Sequence, residues 1–252
     1  MNALLGILGI FVVILICLAF MVGAICSIEI WRKRMEVMVG KDAPQARKTL
    51  TPTQKFILAA SSPVIGNNYK CVIDIWDTHL SDEEVDKVIQ LFEWGWGEFT
   101  YENAKSMADD CLSRGHNTKY IEYCSAGGAP DSLPSQYTDL QLQLLQEMKQ
   151  RYPKQGMLAW DLVRTLSLVG GACMGGIMTY EEAVTIAFHV CKRLQENFSS
   201  WDDMVGSYTL GYQFWRGERA TDRLNYYKKL KKTWIYKIPW NTELRENELG
   251  IF

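Results

Sequence analysis

Trp160-Asp161-Leu162-Val163-Arg164 sets an acid and a guanidinium three residues apart, with an indole beside the acid. On a helix, positions i and i+3 share a face, so Asp161 and Arg164 can pair. The planar fork of Arg164 would suit a ligand carboxylate or phosphate. The same pair can instead tie helices together as a partly buried ion pair. Trp160 beside it argues for burial, and architectural roles are the commoner ones for such pairs. His116 is a second candidate, with Asp109, Asp110 and Cys111 upstream. It could act as a general base if a partner and a nucleophile were positioned with it. Gly115-His116-Asn117 also reads as a plain helix C-terminus, with Gly115 left-handed and His116 near the negative end of the dipole. His189 lies in an apolar helical stretch and reads as a core histidine. Trp201, Tyr208, Tyr212 and Trp215 fall on one helix face. They read first as core, and second as a platform on which a base or sugar could stack. Glu182, His116, Asp161 and Arg164 would together form the polar part of a pocket between helices.

Other chemistries lack their residues. Three scattered histidines and seven cysteines without a C-x-x-C pair make no zinc site, so no metal is expected. The run Gly170 to Gly176 is followed by no Lys-Ser or Lys-Thr, so it is no phosphate loop. It reads as a flexible connection between helices. No cofactor is expected, and a catalytic function is the less favoured reading.

The elements around these residues are helical. Thr51-Pro52, Ser81-Asp82-Glu83-Glu84, Thr100, Thr179-Tyr180-Glu181-Glu182 and Ser200-Trp201-Asp202-Asp203 are helix starts. Ala183, Val184, Ile186, Ala187, Val190, Cys191 and Leu194 recur with a 3.6-residue period, and Leu140, Leu144, Leu145 and Met148 mark another helix before Pro153. Gly127-Gly128-Ala129-Pro130 and Pro134 divide the helical region into two halves. Trp234–Ile238 could form one short strand. The fold class is mostly α: an N-terminal single transmembrane helix over residues 1–31, a basic linker over 32–49, and one compact multi-helix domain over 50–252.

The membrane segment rests on Ala3 to Ile28, which carry no charged side chain. At about 1.5 Å per residue the run exceeds a hydrocarbon core of ~30 Å. No Lys or Arg precedes it and it is long for a cleaved signal peptide. On its C-terminal side, between Trp31 and Lys48, Arg32, Lys33, Arg34, Lys41, Arg47 and Lys48 outnumber Glu36 and Asp42. The positive-inside rule then leaves the N-terminus outside and puts the helical domain in the cytoplasm. A second basic stretch, Arg216 to Lys237, includes Lys228, Lys229, Lys231 and Lys232. With Arg32, Lys33 and Arg34 it could lean on anionic headgroups, or it could be a solvated helix face. A net charge of −2 and the tether make nucleic acid a less favoured partner.

The stretch Ala159-Trp160-Asp161-x-x-Arg164, Gly175-Gly176-Ile177, Glu181-Glu182-Ala183, Leu194-Gln195-x-x-Phe198-Ser199-Ser200-Trp201 and Tyr208-x-x-Gly211-x-x-x-Trp215 resembles the bacterial YbeU/YbeR-like family, domain of unknown function 1266. Trp94-Gly95-Trp96, Gly115-His116-Asn117 and Ile238-Pro239-Trp240 extend the resemblance over most of residues 50–245. The Gly170-Gly171 to Gly175-Gly176 connection departs from it. The resemblance implies a compact helical domain, a bacterial source and hence the inner membrane. It implies no activity and no catalytic residue. The expected function is a membrane-anchored domain that binds a protein partner as an adaptor or immunity-type inhibitor; the alternative is an enzyme or ligand sensor with a pocket around Asp161 and Arg164.

Overall fold

The computed structural model describes residues 50–65, 82–128 and 137–250. Among these the order is α1 (Pro52–Ile65), α2 (Asp82–Trp96), α3 (Tyr101–Ser113), α4 (Asn117–Ser125), α5 (Asp139–Arg151), α6 (Leu158–Met174), α7 (Tyr180–Asn197), α8 (Trp201–Arg216) and α9 (Asp222–Leu230). Two one-turn 3-10 segments follow, Ile235–Lys237 and Glu246–Glu248, and no strand is present among the described residues. The short strand expected at Trp234–Ile238 is instead the first of these turns. Ile235 faces inward and Tyr236 packs edge-on to Trp201 and Tyr227. No helix among the described residues is long and apolar enough to cross a membrane. The expected anchor over 1–31 and the linker with Arg32, Lys33 and Arg34 lie outside the described residues, as do His79 and Ser81.

Local capping starts most of the helices. The side chains of Thr100, Thr138, Thr179 and Ser200 each accept from the backbone N–H three residues on, and Thr138 with Gln141 and Thr179 with Glu182 form complete capping boxes. Helix α6 is the axis. It is buried on nearly all sides, as expected for a helix apolar around its whole circumference. It packs against α1, α2, α3, α7 and α8. Gly170 and Gly171 belong to α6, not to a connection. A Cβ at Gly171 would lie 2.0 Å from the Phe92 ring, so the glycine is where α2 approaches the axis. Gly211 does the same on α8, where a Cβ would lie 2.3 Å from Cβ of Trp160.

The C-terminal tail closes on α1. Glu248 accepts from the backbone N–H and hydroxyl of Thr53 at 3.0 and 2.7 Å, capping the N-terminus of α1. Gln54 and Tyr180 both donate to the Leu249 carbonyl. The described residues all fall within one compact unit, Thr49–Phe252.

Candidate functional site

Asp161 sits in the first turns of α6 with 1% of its side chain exposed. It accepts from the backbone N–H of His116 at 2.9 Å and of Asn117 at 2.7 Å, the free donors at the N-terminus of α4. Asn117 returns the favour, its Oδ1 accepting from Met157 N–H at 2.8 Å at the start of α6. Two helix N-termini thus cap each other. Gly115 is there because of this latch. It is not left-handed, but a Cβ on it would lie 2.3 Å from Cγ of Asp161. His116 correspondingly stands at the N-terminus of α4, not at the C-terminus of α3, which is capped at Arg114.

Arg164 completes the latch. Its Nη2 donates to Asp161 Oδ1 at 2.7 Å and lies 2.9 Å from His116 Nδ1. A guanidinium only donates, so Nδ1 is the acceptor and the proton of the neutral imidazole is on Nε2. Burial works to raise the Asp161 pKa. The Arg164 charge and the two backbone N–H groups outweigh it and hold the carboxyl below its ordinary value. The arrangement is poor for catalysis by His116, because its one lone pair is already engaged. Cys111 nearby offers no thiolate: burial pushes its pKa up in spite of Arg164.

The other side of Arg164 is different. Its guanidinium lies over Trp160, 4.8 Å to the ring centroid, and over Trp96 at 5.5 Å. Beyond is a cleft of about 330 Å³ between the C-terminal end of α2, the middle of α6 and the outer half of α8. Trp94 and Trp96 form its α2 side, and Tyr208, Tyr212 and Trp215 its α8 side, with Trp160 between them. Trp160 contacts Tyr208, Tyr212 and Trp215 at centroid distances of 5.5, 5.7 and 5.6 Å. Trp94 is 90% exposed at the mouth and Trp215 54% exposed. Burial pushes the Tyr208 phenol up to about 12, so it stays protonated and donates to the Pro63 carbonyl.

A second cation, Arg223 of α9, also lines this cleft and is 91% buried by its 9% exposure. Its Nη1 donates to the Val64 carbonyl, and its guanidinium lies over the Tyr212 ring at 4.9 Å. Three polar atoms of the lining residues are buried without a hydrogen-bond partner: Trp160 Nε1, Arg164 Nε and Arg223 Nε. No carboxylate is among the lining residues. A second, more open cavity of about 390 Å³ lies toward Cys111, His116 and Lys119, and Trp96 and Arg164 border both.

Of the residues singled out from sequence, Trp160, Asp161, Arg164, His116, Tyr208 and Trp215 come together. Glu182 and Trp201 do not. Glu182 caps α7 and accepts from Tyr101 Oη at 2.7 Å, joining α3 to α7. Trp201 is a core pillar, packed on Phe56 and Trp240 with its indole N–H on the Ile238 carbonyl. His189 is not a core residue; it is exposed and edge-on to Phe188. Lys228, Lys229, Lys231 and Lys232 are all exposed, and Lys231 pairs with Asp202. The described cysteines are all free, and no group of His, Cys, Asp or Glu among the described residues could hold a metal.

Arg223, Trp94 and Trp96 were missing from the residues first singled out for the site. Arg223, Tyr226, Tyr227 and Leu230 share the inward face of α9 at i, i+3, i+4 and i+7, and that spacing marks Arg223 as an inward cation. The stretch from α2 to Trp240 contains all the cleft residues but Val64. Residues 78–240 match the family model described as "Protein of unknown function (DUF1266)".

The chain belongs to this family.

No curated protein and no solved structure matches it. The DUF1266 match omits α1 and the tail beyond Trp240, yet Glu248 and Thr53 join those two segments to one another. Both the latch and the mouth of the cleft fall inside the DUF1266 region.

Proposed function

We propose that this chain is a membrane-anchored, non-catalytic binding protein that recognises its partner through the aromatic cleft beside Arg164. The observation that carries the reading is the pairing of unsatisfied buried donors with an accessible mouth. Trp160, Arg164 and Arg223 each hold a buried N–H without a partner, and Trp94 and Trp215 stand exposed at the entrance. An unpaired buried donor costs about 1–3 kcal/mol, and a bound acceptor would recover part of it. The apolar run from Ala3 to Ile28 supplies the anchor and the flanking cations the orientation, N-terminus outside and helical domain in the cytoplasm of a bacterial inner membrane. Within the family, the ordered motifs from Trp94 to Trp240 favour the YbeU/YbeR-like group. Exposed Lys228, Lys229 and Lys232 would add attraction to anionic headgroups.

Two kinds of occupant fit a binding role. A protein partner, in an adaptor or immunity-type inhibitor, would insert a side chain between Trp94 and Trp215. A small ligand would make the domain a sensor. The volume of about 330 Å³ favours the second, because it lies in the range of ligand pockets. The test is mild cross-linking of the full-length chain in native membranes, with native mass spectrometry of the purified protein alongside. A protein or small molecule that is retained by the wild type and lost from the double variant Trp94→Ala, Trp215→Ala, with unchanged thermal unfolding, supports the cleft as the recognition site. Equal retention by both proteins would sink it.

A further inference from the structure

The lining of the cleft says what a small ligand should look like. Arg223 commits Nη1 to Val64 and leaves Nε without a hydrogen bond. The edge formed by Nε and Nη2 is the side of a guanidinium that grips a carboxylate with two parallel bonds. The Asp222 carboxylate stands off that edge at 3.9 Å, beyond hydrogen-bond distance, and accepts instead from Tyr212 Oη at 3.4 Å. Arg164 turns Nη2 toward Asp161 and His116, and its buried Nε likewise has no hydrogen-bond partner. Asp161 and Asp222 each stand beside one of these cations from outside the cleft, but no carboxylate lines the cleft itself, so its exposed lining favours negative charge, and more strongly in a partly closed site than in water.

The remaining walls are rings. The indoles of α2 and the Tyr212–Trp215 pair of α8, 6.2 Å apart and 27° from parallel, offer flat π-faces rather than an aliphatic pocket. Ring faces of this kind hold planar groups by stacking. A volume near the lower end of the ligand-pocket range limits the body to about one or two fused rings. From these features, and resting on the ligand-binding form of the function proposed above, we infer that the cleft takes a small planar aromatic anion, with its carboxylate or phosphate on the Arg223 edge and its ring against the tryptophans.

The test uses the full-length chain in lipid nanodiscs, titrated by calorimetry with 2-naphthoate and with its neutral analogue 2-naphthamide, with empty nanodiscs subtracted. Saturable one-to-one binding is expected, with naphthoate tighter than naphthamide by about tenfold or more, the value of a charge-assisted hydrogen bond. Arg223→Gln should bring naphthoate down to the amide's affinity and leave the amide unchanged. If that variant does not fold, Trp94→Ala, at an exposed position, should weaken both ligands by about tenfold through lost stacking. Equal affinity for acid and amide in the wild type would overturn the anion preference while leaving the cleft as a binding site. No heat from either ligand at millimolar concentration would overturn the aromatic-anion inference. The cross-linking comparison above would then decide separately whether the cleft is used at all.

Discussion

On one side of Arg164 the Asp161 carboxylate has three donors arranged around it, and each of its oxygens accepts at least one hydrogen bond: from the backbone of His116 and Asn117 and from Arg164 itself. On the other side, the Nε atoms of Arg164 and Arg223 and the indole nitrogen of Trp160 have none. Both regions are built from the same helix and share one guanidinium. A buried charge held by complete pairing is how a fold joins two helix N-termini. Buried donors left open beside a cleft contribute nothing to such a joint and raise the energy of the empty protein. The latch therefore reads as architecture and the cleft as the place where something binds, although residue types alone made Asp161 and Arg164 a single candidate site.

The comparison breaks most visibly at Asp161. Asp161→Ala removes the acceptor for two backbone N–H groups and leaves Arg164 with a buried, uncompensated charge. A loss of about 3–5 kcal/mol in urea denaturation is expected. The effect should follow pH in a definite direction. The Asp161 pKa is held below its ordinary value in the folded state, so its stabilisation is complete above the unfolded value, near pH 4, and is lost as pH falls through the folded one. Wild type should lose stability on acidification below about pH 4 more steeply than Asp161→Asn. Parallel curves would show that the carboxylate is not what the latch depends on.

Next in size is Gly115→Ala. Its Cβ would meet the Asp161 carboxylate, so overpacking should cost about 1–3 kcal/mol in the wild type. In an Asp161→Ala background the obstructing atoms are gone, and the same change should cost close to nothing. This strong non-additivity distinguishes a packing reason for the glycine from a backbone reason, which would cost the same in both backgrounds. Gly211→Ala, against Cβ of Trp160, should cost a similar ~1–3 kcal/mol with no such dependence on Asp161.

These glycines also show what could and could not be read from the chain. Starts set by a side chain and an N–H three residues away were legible, because donor and acceptor are both local: Thr100, Thr179 and Ser200 all cap as their sequence suggests. Core faces with a 3.6-residue period were legible for the same reason, and α7 buries nearly the set expected. Gly115, Gly170 and Gly171 were misread because a glycine's local signature is that of a turn, whereas here the cause is a remote neighbour: Asp161 for Gly115 and Phe92 for Gly171. His189 was misread because its neighbours in sequence are apolar while its own angular position on α7 faces solvent. Arg223 was hidden in a run of cations that looks like a solvated face, and only the spacing of Tyr226, Tyr227 and Leu230 separates it from Arg216 and Arg219. The Asp161–Arg164 pair was legible as a pair. What it divides, a satisfied latch from an open cleft, depends on α2, α4 and α9 arriving from elsewhere in the chain.

The smallest effect on stability sharpens the comparison furthest. Trp94 is 90% exposed, so Trp94→Ala should change unfolding free energy by no more than about 0.5 kcal/mol, as for surface substitutions generally. Under a purely architectural account of this region, a substitution with no effect on stability has no effect on anything. Under the binding account, it removes an indole from the mouth of the cleft and weakens the bound partner while the Asp161 latch, one helix face away, remains intact. Asp161→Ala should show the reverse order, a large loss of stability first and a loss of binding only as a consequence of it. Measuring both properties on both variants therefore assigns each side of Arg164 its role. If Trp94→Ala and Asp161→Ala fall on one common line of binding against stability, the two regions are a single structural unit and the distinction drawn here fails.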